Sequence, residues 1–271
     1  MFWRFRIASG HLGWASALLL CILSSSVRGQ AESEDPNVLF EPREYSDGQG
    51  AVLKYRLLKP ANFSETRAYP LVIFLHGAGE RGDDNEAQLK HGLKEFCRAT
   101  RREAYPCYVL APQCPKEQKW ADVDWSKTPV EHPPQISQVL RLTMAVVDAM
   151  LDDAAINKNR VYITGLSMGG YGTWDAMTRR PELFAAAVPI CGGGDPHTAP
   201  MIEHIPIACY HGDADRVVPI ENSRAMIEAL KECGATPRFI EYPDVGHDSW
   251  SRTYADDELF KWMFAQRRQP Q

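Results

Sequence analysis

What this 271-residue chain lacks excludes several classes of protein. There is no surplus of positive charge: 30 Lys and Arg stand against 35 Asp and Glu, a formal net charge of -5. Such a chain has no electrostatic footprint for nucleic acid or an anionic membrane. None of the seven cysteines falls in a Cys-x-x-Cys or a His/Cys cluster with zinc spacing, so no metal is expected. The stretch His76 to Gly82 is rich in glycine, but it lacks the Gly-Lys-Ser/Thr ending of a phosphate-cradling loop. No internal repeat, low-complexity block or interdomain linker interrupts the chain. The apolar run Trp14 to Leu23, about ten residues, is too short to span a bilayer as a mature helix.

That run instead reads as part of a secretory signal peptide, residues 1–31, with cleavage near Ala31. Arg4 and Arg6 precede it, and the small and polar residues Ser24-Ser25-Ser26 and Gly29-Gln30-Ala31 follow. The alternative is an N-terminal membrane anchor. Cys21 follows three leucines rather than a small residue, so lipidation is not expected. Losing Arg4, Arg6 and Arg28 takes the net charge from -5 to -8, an acidic exported domain with no membrane partner after cleavage. Export permits disulfides, and a bridge among Cys97, Cys107 and Cys114 competes with buried free thiols there and at Cys191, Cys209 and Cys233.

Composition, 44% hydrophobic and 24% charged, suits a globular domain with a substantial core. Residues 32–50, acidic and with two prolines and two glycines, read as a loosely ordered lead-in to a domain over 51–268. Ala51 to Leu58 alternates as an edge strand does, whereas Leu71 to Leu75 is continuously apolar, the mark of a strand buried on both faces. Further strands are expected at 108–111, 160–164, 185–190, 206–210 and 238–242. Helices are expected at 86–98, 136–151, 222–231 and 256–266. Strands alternating with helices give an α/β fold: a mostly parallel sheet flanked by helices on both faces, with reactive groups at the carboxyl ends of the strands.

Gly165-Leu166-Ser167-Met168-Gly169 has the form Gly-x-Ser-x-Gly. It lies between the strand Arg160 to Thr164 and a helix that is stopped by Pro181. A serine on such a turn exposes its hydroxyl above the sheet, and the helix aims its free N–H groups and positive dipole end at the reaction centre. The hydroxyl still needs a base and a group to orient the base. His247 is the expected base: it comes last in the chain, on a loop beyond the strand ending at Tyr242, beside Gly246. Of the other histidines, His91, His132, His197 and His204 read as surface residues; His76 and His211, at strand ends before glycine, read as structural hydrogen-bonding residues, with a place near the site as the alternative for either. Asp215 is the expected orienting acid, in the turn His211 to Pro219. Asp213 competes with it, and one of the two is expected to close the turn on backbone N–H groups. The oxyanion donors are expected to be the backbone N–H of Met168 and of Ala78, on the loop after the strand 71–75.

Together, Leu75-His76-Gly77, Gly165 to Gly170, His211 to Asp215 and Gly246-His247 resemble the α/β-hydrolases. More narrowly, residues 50–268 resemble the secreted, lidless esterases of the phospholipase/carboxylesterase and dienelactone-hydrolase-like groups, including bacterial proteins called predicted peptidases or feruloyl- and acetylxylan-esterase-like. Two departures stand out. Dienelactone hydrolases proper use a cysteine nucleophile where this chain has Ser167, and prolyl-oligopeptidase-type peptidases carry a propeller domain for which there is no room. The resemblance implies an α/β-hydrolase fold without a large lid domain, and an acyl-enzyme mechanism on carboxylic esters with no cofactor and no metal. Trp120 and Trp125 in a polar loop, and Trp250 just past the base, are candidate platforms for sugars or aromatic acyl groups, with packing as the alternative. With export, they favour small-molecule or polysaccharide-linked esters such as feruloyl or acetyl. Amide hydrolysis by a peptidase uses the same residues and stays open, as does a binding protein of this fold that has lost its chemistry.

Overall fold

Leu71 to Leu75 has no polar side chain on either face, and it forms the middle of the sheet. The computed structural model of the protein describes residues 34–153 and 155–268. The signal-peptide expectation for 1–31 lies outside the described residues. Eight strands, β1 (Phe40–Ser46), β2 (Val52–Leu58), β3 (Tyr69–Leu75), β4 (Tyr108–Pro112), β5 (Ile156–Leu166), β6 (Ala186–Ile190), β7 (Ala208–Gly212) and β8 (Arg238–Tyr242), stand in the order β1-β2-β4-β3-β5-β6-β7-β8. β2 runs antiparallel to both neighbours, and every other pairing is parallel. The helical segments in chain order are α1 (Pro36–Leu39), α2 (Lys94–Cys97), α3 (Ala99–Ala104), α4 (Gln138–Asp153), α5 (Met168–Arg179), α6 (Ala199–Ile202), α7 (Glu221–Glu232), α8 (Trp250–Ala255) and α9 (Asp257–Ala265).

Alternation along β3 divides the core into two layers. Leu71, Ile73 and Leu75 pack with Val139, Leu140 and Val147 of α4, Trp174 of α5 and Met226 of α7. Val72 and Phe74 pack on the other face with Phe96 of α2, Tyr254 of α8 and Phe260 of α9. Helices therefore cover both faces, as expected of a parallel sheet.

Three expectations change. Of the expected lead-in 32–50, the described part, 34–50, is not loose: β1 pairs with β2 along its whole length, from Phe40 opposite Leu58 to Ser46 opposite Val52. Phe40 is buried, and the Arg56 guanidinium bonds its carbonyl at 2.9 Å. Pro42 is compatible with this strand because it lies at the sheet edge. The segment around Ala51 to Leu58 is accordingly an inner strand. Residues 86–98 are not one helix either. They hold a 3-10 turn at Ala87–Leu89 and then α2, separated at Gly92, whose φ is 78°. A side chain at Gly92 would collide with the Tyr254 and Phe74 rings. Of the two readings of the cysteines, the free-thiol one holds: Cys97, Cys107 and Cys114 are free thiols, as are Cys191, Cys209 and Cys233. Cys114 packs on the α4–α5 face of the sheet while Cys97 and Cys107 pack on the opposite one, and burial pushes all three thiols up to about 12.

The turn between β5 and α5 depends on glycine for close backbone approach. A Cβ on Gly169 would fall inside the Leu75 carbonyl, and one on Gly165 would strike the Gly169 carbonyl. Nothing flexible is available to give way there. Gly169→Ala is therefore expected to destabilise the domain by about 3 kcal/mol or more. In a domain of this size that lowers Tm by about 6–12 °C. A thermal melt checks this, and an unchanged Tm would contradict the packing described.

Candidate active site

Five loops meet above the carboxyl ends of β3, β5, β6, β7 and β8, where open parallel sheets place their chemistry. Ser167 occupies the turn from β5 to α5 with φ 53° and ψ -117°, a left-handed backbone that costs about 1–3 kcal/mol for a residue with a side chain. Its N–H donates to the Ile190 carbonyl at 3.0 Å, and its own carbonyl accepts the Tyr171 N–H at 3.1 Å. Those bonds tie the strained residue to β6 on one side and to the first turn of α5 on the other.

His247 lies on the loop between β8 and α8. Its Nε2 is 2.9 Å from Ser167 Oγ, and its Nδ1 is 2.7 Å from Asp215 Oδ2. With the carboxylate ionised, Nδ1–H donates to it, which leaves Nε2 to accept the serine hydroxyl. The Asp215 side chain is fully buried. Burial, the largest single influence, raises its pKa. Hydrogen bonds from His211, His247 and the Val218 and Val217 N–H groups outweigh burial and hold the carboxyl well below the usual range. Asp213 does not compete for this position. It is exposed and accepts the Asp244 N–H at 2.7 Å, tying the turn to the loop after β8, while Asp215 itself closes the turn by accepting the Val217 and Val218 N–H groups on its other oxygen.

Ala78 opens a 3-10 turn, Ala78–Glu80, on the loop after β3, and Met168 is the first residue of α5, where an N–H has no acceptor within the helix. The floor of that loop is His76, which is 1% exposed. Nε2 of His76 accepts the Cys114 N–H at 2.9 Å, so its proton is on Nδ1, which donates to the Gly77 carbonyl at 2.6 Å. Trp120 Nε1 donates to the His76 carbonyl at 2.9 Å.

That bond identifies Trp120 as a core residue. It has 0% exposure and no face for a ligand, so it is not a substrate platform. Trp125 and Trp250 are half-buried. Trp125 packs 6.4 Å from the Tyr171 ring, with the Lys119 ammonium 4.5 Å from its own ring centre. Trp250 stands edge-on to His247 at 5.2 Å and lies 5.7 Å from His91, so His91 is no simple surface residue. Neither is His132: its side chain is 3% exposed, 3.7 Å from the buried Asp175 carboxylate. Arg179 of α5 donates to the Pro133 and Pro134 carbonyls and ties the Pro-rich stretch around His132 to that helix.

Sequence spacing gave no hint that Cys191, at the end of β6 with φ 38°, would share the site. Among the described residues, its Sγ, an Asp215 oxygen and a His247 nitrogen lie within 4.8 Å of one another, a spacing open to a metal ion. Asp215 and His247 already share a 2.7 Å hydrogen bond, which leaves no gap for an ion between them, and burial raises the Cys191 thiol far above neutrality.

A sheet of this strand order, with a serine at the β5–α5 turn and a histidine and an acid after β8 and β7, defines the α/β-hydrolase class. The phospholipase/carboxylesterase family model matches residues 62–260, and the chain belongs to that family, a hydrolase of the carboxylesterase type. Carboxylesterase SOBER1 of Arabidopsis thaliana is 29% identical over 195 residues, 66% of this chain and 84% of that protein. The crystal structure of a thermostable esterase superposes with a TM-score of 0.80 at 41% identity, covering 85% of this chain and 64% of that one. The chain thus spans just under two thirds of that esterase. Probable feruloyl esterase C of Aspergillus niger is 22% identical over 209 residues, 74% of this chain and 69% of that protein.

The neutral state of His76 has a measurable consequence. Burial lowers its pKa from 6.5 to about 4. Between those values the unfolded chain binds more protons than the folded one, so stability falls as pH drops through that window. For this buried group the loss is about 3 kcal/mol. Protonation would also set a second N–H against that of Cys114. Urea melts at pH 7 and pH 4.5 should show this loss in the wild type and a smaller one in His76→Gln. Equal losses in both would refute the assignment.

Proposed function

We propose that Ser167, His247 and Asp215 act as a nucleophile–base–acid triad in an exported esterase. The observation that carries this reading is the unbroken relay of 2.9 Å and 2.7 Å from Ser167 Oγ through His247 to a buried, ionised Asp215. Ser167 Oγ attacks the ester carbonyl carbon as His247 Nε2 takes its proton. Asp215 holds Nδ1–H and stabilises the imidazolium that forms. The N–H groups of Ala78 and Met168 receive the developing oxyanion. Collapse breaks the ester bond, the alcohol leaves with the proton from His247, and water repeats the sequence to release the acid.

The substrate reading is an acyl ester carried on a larger molecule, such as a feruloyl or acetyl group on polysaccharide. Three things support it: the signal-like residues 1–31, the half-buried indoles of Trp125, beside Tyr171 of α5, and Trp250, beside His247, and the likeness to a probable feruloyl esterase. Aromatic faces at a site accept flat acyl groups and sugar rings.

Ser167→Ala should abolish hydrolysis of p-nitrophenyl acetate and labelling by a fluorophosphonate probe while leaving Tm unchanged. Asp215→Asn should lower kcat by about 10⁴-fold, the usual consequence of holding the imidazole in the wrong tautomer. Substantial turnover in purified Ser167→Ala would sink the triad. Comparing kcat/KM for methyl ferulate, p-nitrophenyl acetate and a peptide anilide tests the substrate class, and a faster anilide would replace the esterase reading with a peptidase one.

A further inference from the structure

Asp215 bonds more than one histidine. His211, the penultimate residue of β7, has a fully buried side chain, and its Nε2 lies 3.2 Å from Asp215 Oδ2, the same oxygen that His247 engages. The same Nε2 is 3.0 Å from the Val218 carbonyl. Both neighbours are acceptors, so Nε2 carries a proton in every state compatible with this packing. On the far side of the ring, Nδ1 is 2.8 Å from Ser223 Oγ, and that hydroxyl is 3.0 Å from the Gly192 carbonyl. Ser223 thereby fixes the ring against both β6 and α7. The other Asp215 oxygen accepts the Val217 and Val218 N–H groups at 2.8 and 3.0 Å. The remaining acidic group influenced by His211 is Glu241, which is held by Arg224.

We propose that His211 is a positioning residue for ester hydrolysis: its Nε2–H holds the Asp215 carboxylate in the orientation His247 requires and shares the oxygen on which His247 bears. The proposal rests on the triad reading and extends it by one residue. Two imidazole N–H groups on one carboxylate oxygen divide its negative charge. Asp215 then orients His247 while part of its charge is engaged by His211. Removing the His211 donor leaves Asp215 buried with one partner fewer, freer to turn and stronger as an acceptor for His247.

Three variants separate orientation from packing. His211→Leu removes the donor. His211→Asn keeps an amide beside Ser223 but does not reach Asp215. His211→Gln places an amide N–H where Nε2 stood. Leu and Asn should lower kcat about 10- to 100-fold, the effect of losing a hydrogen bond to a charged group. KM should stay within about two-fold, because no contact with substrate is removed. The acidic limb of the kcat/KM profile, which reports the base in the free enzyme, should move to higher pH in both. Gln should recover most of kcat and return the limb to its wild-type position. A purely structural role would lower Tm and the fraction labelled by a fluorophosphonate without moving the limb.

The proposal is overturned if the limb stays in place in Leu and Asn, if Gln is as impaired as Asn, or if none of the three folds. Should Leu alone fail to fold, the Asn–Gln contrast decides. Ser167→Ala measured alongside separates this idea from the one beneath it. An active Ser167→Ala removes the triad itself, whereas an inactive one beside wild-type His211 variants removes only the role of His211.

Discussion

The strained backbone at Ser167 is the constraint on which the rest of the site depends. A left-handed serine between a strand and a helix is unfavourable alone, and it persists because its surroundings leave no other conformation. Gly165 and Gly169 bring the turn against the end of β3 with no Cβ in the gap, and the Ser167 N–H is spent on Ile190. The hydroxyl is thereby raised above the sheet at the point where the loops from β7 and β8 arrive.

Charge in the site is arranged around one buried carboxylate. Asp215 is tolerated without solvent because four donors surround it, two from imidazoles and two from the backbone of its own turn. The other buried imidazole beside the site, His76, is neutral and serves as scaffolding for the loop that carries Ala78. The same residue type thus has opposite uses in neighbouring loops. The difference lies in the partners: His76 faces one donor and one acceptor, whereas His247 faces an ionised acid and a hydroxyl. Of the half-buried indoles, Trp125 packs against Tyr171 of α5 and Trp250 against His247 itself.

Much of this was legible in the chain. The apolar run at 71–75 announced a central strand, and the Gly-x-Ser-x-Gly turn, with an acid and then a histidine after later strands, announced the relay. Each signal is local: a strand buried on both faces must be apolar, and a tight turn must have glycine. Less legible was anything that depended on what packs against a segment. Residues 40–46 look like a loop until β2 is placed beside them, because an edge strand tolerates proline and charge. Residues 86–98 have helical composition, but Tyr254 and Phe74 fill the space at Gly92. Trp120 and Trp125 stand five residues apart in one loop with the same local character. One is core and the other half-exposed, because only the first reaches the His76 carbonyl.

The sequence by itself determined the fold class, the hydrolase family and the order in which Ser167, Asp215 and His247 follow their strands, since each sits in a short, rigid signature. The tertiary structure alone decided which of Asp213 and Asp215 faces the histidine, that His211 bonds the same oxygen as His247, that Cys191 lies beside them, and that the cysteines are separated in the core. These are contacts between residues distant in the chain or rotated within a turn, and they exist only once the sheet has fixed where each strand ends.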